Sequence, residues 1–179
     1  MKKILALFFL TTVISIPNGF SALRGEFLGA GVLPMATGVP APTGKLALGG
    51  GGLVLSVPLK HRFRFELGYM YLKRDVTLDQ QYKFNMHSFM GGFKIEFPKV
   101  VFLDLGGYSN NYINNPLPVG GKDYGAYAGL GLNIPFSPFW GLEILGQYRY
   151  ALNKLKSVDE TITYTPHEAV LMAGIRIGM

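Results

Sequence analysis

The side chains best suited to catalysis or metal binding in this sequence are its three histidines, His61, His87 and His167. A nucleophile and its base on one β-strand must share a face, which requires a spacing of two residues. His87 and Ser88 are adjacent, so a strand points them to opposite faces, and we interpret them as polar residues near a β-bulge. His61 and His167 have no histidine or carboxylate at metal-ligand spacing. The sequence therefore predicts no catalytic, metal or cofactor site.

Two glycine-rich stretches could be mistaken for phosphate-binding loops. Residues 49–52 are all glycine, and Gly129 and Gly131 flank Leu130. A phosphate loop must lead into a helix, and no helix is predicted after either stretch, so we interpret both as bends or close approaches of strands. The absence of cysteine excludes disulfides and cysteine-ligated metals. The net charge of +6 is mild and no basic cluster carries interleaved aromatic residues, so no nucleic-acid partner is expected.

The first residues have the organisation of a secretory signal peptide. Lys2 and Lys3 precede an apolar stretch at residues 4–15, which is too short to span a bilayer as a helix, and Pro17 then breaks it. Small residues favour cleavage after Ser21, with cleavage after Ala22 as the alternative. The predicted organisation is thus a signal peptide at residues 1–21 and one β-barrel domain at residues 22–179.

The mature chain alternates between apolar and polar residues, which is the pattern of β-strands. In residues 62–71, one face carries Phe63, Phe65, Leu67, Tyr69 and Tyr71, and the other carries Arg62, Arg64, Glu66 and Gly68. Candidate strands cover residues 24–33, 44–57, 62–72, 83–97, 100–110, 122–134, 140–152 and 166–178. Short connections at 58–61, 98–99 and 135–139 alternate with long ones at 34–43, 73–82, 111–121 and 153–165. The sequence predicts an all-β, antiparallel up-and-down barrel of about eight strands.

The composition decides which face of the strands points outward. Charged residues make up 16% of the chain, and 24 residues are glycine. A polar face rich in glycine suits a narrow lumen, whereas a soluble secreted barrel or sandwich, the alternative, turns its charges to water. Aromatic residues group beside the long loops (Tyr69, Tyr71, Tyr108, Tyr124, Tyr148 and Tyr150) and beside the short turns (Phe63, Phe97, Phe102, Phe136, Phe139 and Trp140). Two such groups predict the aromatic girdles of a transmembrane β-barrel.

One hairpin and the chain end carry a more specific resemblance. Residues 127–135 read YAGLGLNIP, residues 140–143 read WGLE and residues 147–150 read QYRY. This pattern resembles the penultimate hairpin of the eight-stranded outer-membrane barrels of the OmpA/OmpX kind. Gly174, Ile177 and Met179 resemble that family's assembly signal, although Ala173 stands where a polar residue is usual and Met179 where an aromatic residue is common. The resemblance implies the outer membrane of a Gram-negative-type bacterium, with outer-membrane lipid and the barrel-assembly machinery as partners.

Charges of both signs fall on the predicted inward face. The thirteen residues are Arg24, Glu26, Lys45, Arg62, Arg64, Glu66, Lys94, Glu96, Asp104, Glu143, Arg149, Glu168 and Arg176. Buried charges must be paired. Because seven are basic and six are acidic, we expect an ion-pair network that fills the lumen; the alternative, an ion pathway, favours one sign.

A second basic set lies beside the predicted long loops. Its members are Lys73, Arg74, Lys122, Lys154 and Lys156. A lysine can bind phosphate as a point charge. We hypothesise that these five residues contact lipid phosphates of the outer leaflet; the alternative is that they are solvated loop charges.

The predicted function is that of a non-enzymatic integral barrel of the cell envelope. It has a structural role in envelope integrity, or a role in surface adhesion through an extracellular ligand bound by its loops. The alternative function is a narrow porin-like transporter for small or apolar molecules. A third and less favoured hypothesis is a lipid A-modifying enzyme, which the spacing of His87 and Ser88 does not support.

Overall fold

The computed structural model describes residues 23–35, 37–39, 41–60, 62–77, 81–97, 100–114, 121–156 and 163–178. The predicted signal peptide, His61 and Met179 lie outside the described residues. No helix in the described part of the chain is long and apolar enough to cross a membrane. The strands are β1 (Arg24–Pro34), β2 (Thr37–Val39), β3 (Thr43–Lys45), β4 (Ala47–Lys60), β5 (Phe63–Thr77), β6 (Gln81–Glu96), β7 (Val101–Asn114), β8 (Lys122–Pro135), β9 (Trp140–Ala151), β10 (Leu155–Lys156), β11 (Thr163–Thr165) and β12 (Glu168–Gly178).

Eight long strands close into an antiparallel barrel. Their order around the wall is β1, β4, β5, β6, β7, β8, β9 and β12, and pairing of β12 with β1 completes the ring. The short strand β3 pairs with the end of β5 nearest the long loops. Strands β2, β10 and β11 form a separate three-stranded sheet. Arg24 at the start of β1 pairs with Gly178 at the end of β12, so β1 begins and β12 ends at the short-turn end of the barrel. The predicted up-and-down barrel of eight strands is confirmed.

One predicted long connection is wrong. The expected loop at residues 73–82 is largely strand, because β5 continues to Thr77 and β6 begins at Gln81. The alternation had not ended: Leu72, Arg74 and Val76 point inward. Membrane-spanning strands need about 9–11 residues. With 15 and 16 residues, β5 and β6 extend beyond the bilayer on the long-loop side.

Three register shifts interrupt the ladders of the described strands, and none lies at His87 and Ser88; one of them lies between β4 and β5, at Pro58 and Lys60. The shift between β6 and β7 lies at Asn85 and Met86, so the bulge predicted nearby is displaced and His87 keeps regular pairing. The third shift lies between β1 and β4, where Gly49 is the extra residue. Its φ of 99° is a conformation that side chains other than glycine rarely adopt, which is the reason for glycine at this bulge.

Burial alternates along most of the length of the long strands, and in their membrane-spanning part the charged side chains lie inside and apolar side chains cover the outside. On β9, Glu143 and Arg149 are buried whereas Trp140 and Tyr148 are 49% and 44% exposed. A soluble barrel shows the reverse, so the wall faces lipid. The exposed apolar residues include Phe27, Leu55, Leu67, Phe89, Phe93, Leu105, Leu130, Leu171, Ile175 and Ile177.

The lipid-facing wall yields a test that depends on depth. Leu130 is 62% exposed halfway along β8, and Leu152 is 64% exposed beyond the end of β9. Leu130→Arg should lower the free energy of unfolding by about 2–4 kcal/mol, because its charge lies near the bilayer centre, and Leu152→Arg by about 0–1 kcal/mol. Urea titration of the protein folded in lipid vesicles measures both. Equal losses for these two matched leucines would contradict the membrane placement.

Candidate functional site

One buried lysine connects four strands in the half of the interior nearest the short turns. The Nζ of Lys94 on β6 lies 2.7 Å from Glu26 Oε1, 2.9 Å from Glu66 Oε1 and 2.9 Å from Glu143 Oε1. These carboxylates come from β1, β5 and β9. The same ammonium lies 4.3 Å from the ring centroid of Phe102. A buried charge needs such partners, so the cluster closes the lumen with side chains from opposite walls.

A shallow vestibule lies below this cluster at the short-turn mouth. Arg24 and Glu96 form an ion pair there, both half-buried. Arg64 is 5% exposed, and its Nε donates to Ser56 Oγ at 3.0 Å. Arg176 is buried beside a cavity of about 230 Å³ that Arg24 and Glu96 also line. The vestibule extends into the barrel only as far as the Lys94 cluster above it.

A second group of polar side chains fills the middle of the barrel. Gln147 Nε2 donates to Asp104 at 2.6 Å, and Arg149 donates to Gln147 Oε1 at 3.2 Å. Arg149 also donates to Ser88 Oγ at 2.9 Å, and its Nη1 lies 3.6 Å from Glu168 Oε1. All five side chains are buried, so hydrogen bonds continue from one wall to the next.

Arg74 organises the group nearest the long loops. Its Nε and Nη2 donate to Glu168 Oε2 at 2.8 and 2.6 Å, and its Nη1 donates to Tyr112 Oη at 2.5 Å. The Nη1 also lies 3.4 Å from Asp123 Oδ2. Asn110 donates to the other Asp123 oxygen at 2.9 Å, and Tyr112 donates to Oδ2. One guanidinium therefore links β5, β7, β8 and β12.

Apolar side chains occupy the remaining interior, which the charge pattern had not indicated. Met70, Met86, Met90 and Met172 are at most 5% exposed inside the ring of strands. Methionine is flexible enough to fill irregular gaps. A separate apolar cap lies above Arg74 and consists of Val76, Tyr82, Phe84, Leu155 and Tyr164. The sequence did hold a signal for these buried methionines, because the strand alternation places each of them on the inward face.

The small sheet of β2, β10 and β11 holds part of this cap in place. Leu155 of β10 pairs with Tyr164 of β11, and both are at most 1% exposed. The Tyr164 ring stacks on Phe84 of β6 with centroids 6.3 Å apart and an interplanar angle of 8°. The loop-end sheet thus lies across the mouth of the barrel.

Most of the predicted inward charges lie inside. The structure buries Glu26, Arg64, Glu66, Lys94, Asp104, Glu143, Arg149, Glu168 and Arg176, with Arg24 and Glu96 at the mouth. The prediction is wrong for Lys45 and Arg62, which are exposed. Lys45 pairs with Asp75 on the outward face because Leu46 interrupts the strand between β3 and β4, so the inward phase of Ala47 does not continue to Lys45. Arg62 lies in the turn before β5, where strand alternation does not hold.

Two interior charges were missed by the sequence reasoning. Arg74, predicted as a lipid contact, is fully buried, and Asp123 was assigned no role. The predicted strand stopped at residue 72, so Arg74 was treated as a loop residue. Extending the alternation from Glu66 through Leu72 would have placed it inside.

The aromatic residues largely occupy the outer wall. Tyr69, Tyr124, Tyr148, Tyr150, Phe63, Phe97, Phe136, Phe139 and Trp140 are each at least 40% exposed, and Tyr71 is half-buried. Tyr108 and Phe102 are corrections, because they point inward and are 5% and 1% exposed. Arg149 lies 5.3 Å from the Tyr108 ring centroid, and Lys94 lies over Phe102. These two rings contact cations rather than lipid.

The histidine and serine considered for catalysis lie on opposite sides of the wall. Ser88 is buried and accepts from Arg149. His87 faces outward, and its Nδ1 lies 2.5 Å from Tyr69 Oη. Within the described ranges, no group of three histidine, aspartate or glutamate residues could hold a metal ion. This arrangement brings no nucleophile, base and carboxylate together around Ser88.

The five predicted lipid-contact residues do not form one set. Lys73, Lys122, Lys154 and Lys156 are exposed, whereas Arg74 lies inside. Lys73 is on β5, but Lys122 begins β8, and its carbonyl accepts from Asn153 of the segment after β9 at 3.0 Å. The basic surface is therefore divided between two parts of the wall.

The predicted assembly signal lies on the last strand. Gly174 and Ile177 belong to β12, and Met179 is outside the described residues. A Cβ on Gly174 would lie 1.8 Å from the Phe27 carbonyl oxygen, which is closer than any real contact. The pairing of β1 with β12 therefore requires glycine at this position, independently of any recognition.

Comparisons with known proteins identify the fold. No protein-family model matches the chain, and no curated protein matches it in sequence. The outer membrane protein OprG from Pseudomonas aeruginosa is similar in structure, with a TM-score of 0.64 and 10% identity over 90% of this chain and 97% of that one. Neisserial surface protein A gives a TM-score of 0.57 and 15% identity over 88% and 97%. The chain has the fold of an integral barrel of a Gram-negative-type outer membrane.

Proposed function

We propose that this protein is a non-enzymatic, non-conducting barrel that stabilises the outer membrane and presents its long-loop end as a contact surface. The observation that carries the proposal is the filled interior. Three polar groups, centred on Lys94, Arg149 and Arg74, follow one another along the barrel, and the apolar cap lies above them.

The charges in the interior are arranged for mutual pairing rather than for transport. An ion pathway favours charges of one sign with solvent between them, but Lys94 is enclosed by three carboxylates and Arg74 contacts both Glu168 and Asp123. An eight-stranded barrel is only wide enough for side chains to fill. These contacts favour a plug.

The long-loop end supports a role in contact with other molecules. Because β2, β10 and β11 form a sheet over the mouth, this end presents ordered structure. Thr37 and Lys154 are exposed there, beside a surface depression of about 520 Å³ that His167 also lines. Leu155 and Tyr164, whose side chains are buried in the apolar cap, connect that surface to the barrel. Function in such folds resides in their surfaces and sites.

Recordings in planar lipid bilayers test the proposal. We expect no stable openings from the folded wild type, and none from a Phe84→Ser, Tyr164→Ser double variant, because the Arg74 and Lys94 groups still fill the lumen below the cap. Heat-dependent mobility in detergent gels verifies that both proteins are folded. Frequent, stable openings of the wild type would overturn the proposal and support the transporter alternative.

A further inference from the structure

Three lysines lie on the outward face of one part of the wall, beyond the end of the lipid-facing region. Lys45 of β3 and Lys83 of β6 both pair in register with Asp75 of β5, and Lys73 lies two residues earlier on β5. Directly opposite residues on one sheet face have Cβ atoms about 4.5–5.5 Å apart. The three adjacent strands therefore collect their ammonium groups into one patch.

A break in the wall creates a depression that Lys73 and Lys83 line, and Lys45 lies beside it, next to the lining residue Leu46. β4 pairs with β5 only as far as Gly51 and Tyr71, whereas β3 pairs with β5 from Lys45 and Asp75 upward. The segment between the two ladders includes Gly49, and the Lys73 side chain lies over it: a Cβ at Gly49 would be in ordinary contact with Lys73 Nζ, at 3.5 Å. The resulting depression has a volume of about 500 Å³.

The lining of this depression is polar on one side and apolar on the other. Lys73, Asp75, Lys83 and Asn85 line it, together with Leu46, Ala47, Leu48 and Tyr71. Leu46 and Leu48 are 56% and 70% exposed. Tyr71 belongs to the aromatic group expected at the interface, so the depression brings exposed leucines and lysines together near the boundary between acyl chains and headgroups.

Within the described residues, the charge of the patch is only partly neutralised. In the part of the chain that the structure describes, the ion pairs involve none of Lys45, Lys73 and Lys83. Among the described residues of the patch, Asp75 contributes one negative charge against the three positive ones, an excess of two. An anion that also carries acyl chains complements both halves of the depression.

We propose that this depression binds a phosphate-bearing glycolipid of the outer leaflet. Lys45, Lys73 and Lys83 contact the phosphates, and Leu46, Leu48 and Tyr71 contact the acyl chains. The site lies on the outer face of β3, β4, β5 and β6. It is therefore distinct from Arg74, which is buried, and from Lys122, Lys154 and Lys156, which are exposed on another part of the wall. It also goes beyond the proposed function, which does not require a bound lipid.

Titration with diphosphoryl lipid A tests the proposal. Native mass spectrometry of the full, folded chain in detergent micelles gives the dissociation constant. A lysine near a membrane surface contributes about a fivefold gain in affinity for anionic lipid, so Lys45→Gln, Lys73→Gln and Lys83→Gln together should weaken binding on the order of 100-fold. Raising the salt concentration should weaken wild-type binding. A lipid A analogue without phosphates should bind both proteins equally.

A matched triple variant controls for total charge. Lys122→Gln, Lys154→Gln and Lys156→Gln remove three charges from the same end of the barrel, and binding should be unchanged. Asp75→Asn keeps every lysine and should tighten binding, because it removes the only carboxylate in the described lining. Equal losses in the two triple variants, no loss in the first, or unchanged binding in Asp75→Asn would overturn the proposal. If the first triple variant does not fold, Lys73→Gln and Asp75→Asn decide the outcome by the same criteria.

Discussion

Replacing Lys94 by methionine should lower the free energy of unfolding by about 3–5 kcal/mol. The change leaves Glu26, Glu66 and Glu143 buried around an apolar side chain, and an uncompensated buried charge costs about this much. Urea titration in lipid vesicles, followed by the fluorescence of Trp140, the single tryptophan, measures the loss.

Lys83→Met is the matched control for this prediction. Lys83 is on the same strand but is exposed, so the same substitution should change stability by no more than about 0.5 kcal/mol. Adding Glu143→Gln to Lys94→Met should recover part of the loss, because it removes one of the unpaired charges. A small loss for Lys94→Met, similar to that of Lys83→Met, would show that water screens the cluster.

The faces of the strands could be predicted because alternation is a local geometric property. Successive side chains on a strand point to opposite sides, so Glu143 and Arg149 are on the inner face once Trp140 and Tyr148 are assigned to the outer face. The same reasoning separated His87 from Ser88. The fold class, and which face of each strand points inward, therefore follow from the sequence alone.

The partners of each charge could not be predicted in this way. Lys94 contacts Glu26 and Glu143, which are 68 and 49 residues away, and their proximity depends on the register of the whole barrel. Alternation also gives wrong answers where it is interrupted. Lys45 belongs to a separate short strand, and Arg62 lies in a turn, so neither keeps the phase of its neighbour.

Strand ends are the other source of error. No residue in the sequence marks where β5 leaves the bilayer, because its alternation continues through Thr77. Tyr108 shows the same difficulty for aromatic residues. A tyrosine suits an interfacial girdle or a buried cation equally well, and only its phase on β7 places it beside Arg149.

Arg74 and its neighbour Lys73 distinguish an interior anchor from a lipid contact. Arg74→Met should lower the free energy of unfolding by about 3–5 kcal/mol, since it leaves Glu168 and Asp123 without their shared guanidinium. Arg74→Lys should also destabilise, because an ammonium cannot reproduce the planar donor set that contacts Glu168 and Tyr112. Lys73→Met should change stability by no more than about 0.5 kcal/mol.

Lipid binding should show the opposite pattern to stability for Lys73→Met and Arg74→Met. Lys73→Met should weaken binding of diphosphoryl lipid A by about fivefold. Arg74→Met, in the fraction that remains folded, should bind as the wild type does, because its side chain faces away from lipid. If Arg74→Met lost lipid binding while its stability was unchanged, the result would show that Arg74 lies on the outer surface. That result would contradict the inward phase of Leu72, Arg74 and Val76, and with it the extension of β5 on which the lysine patch depends.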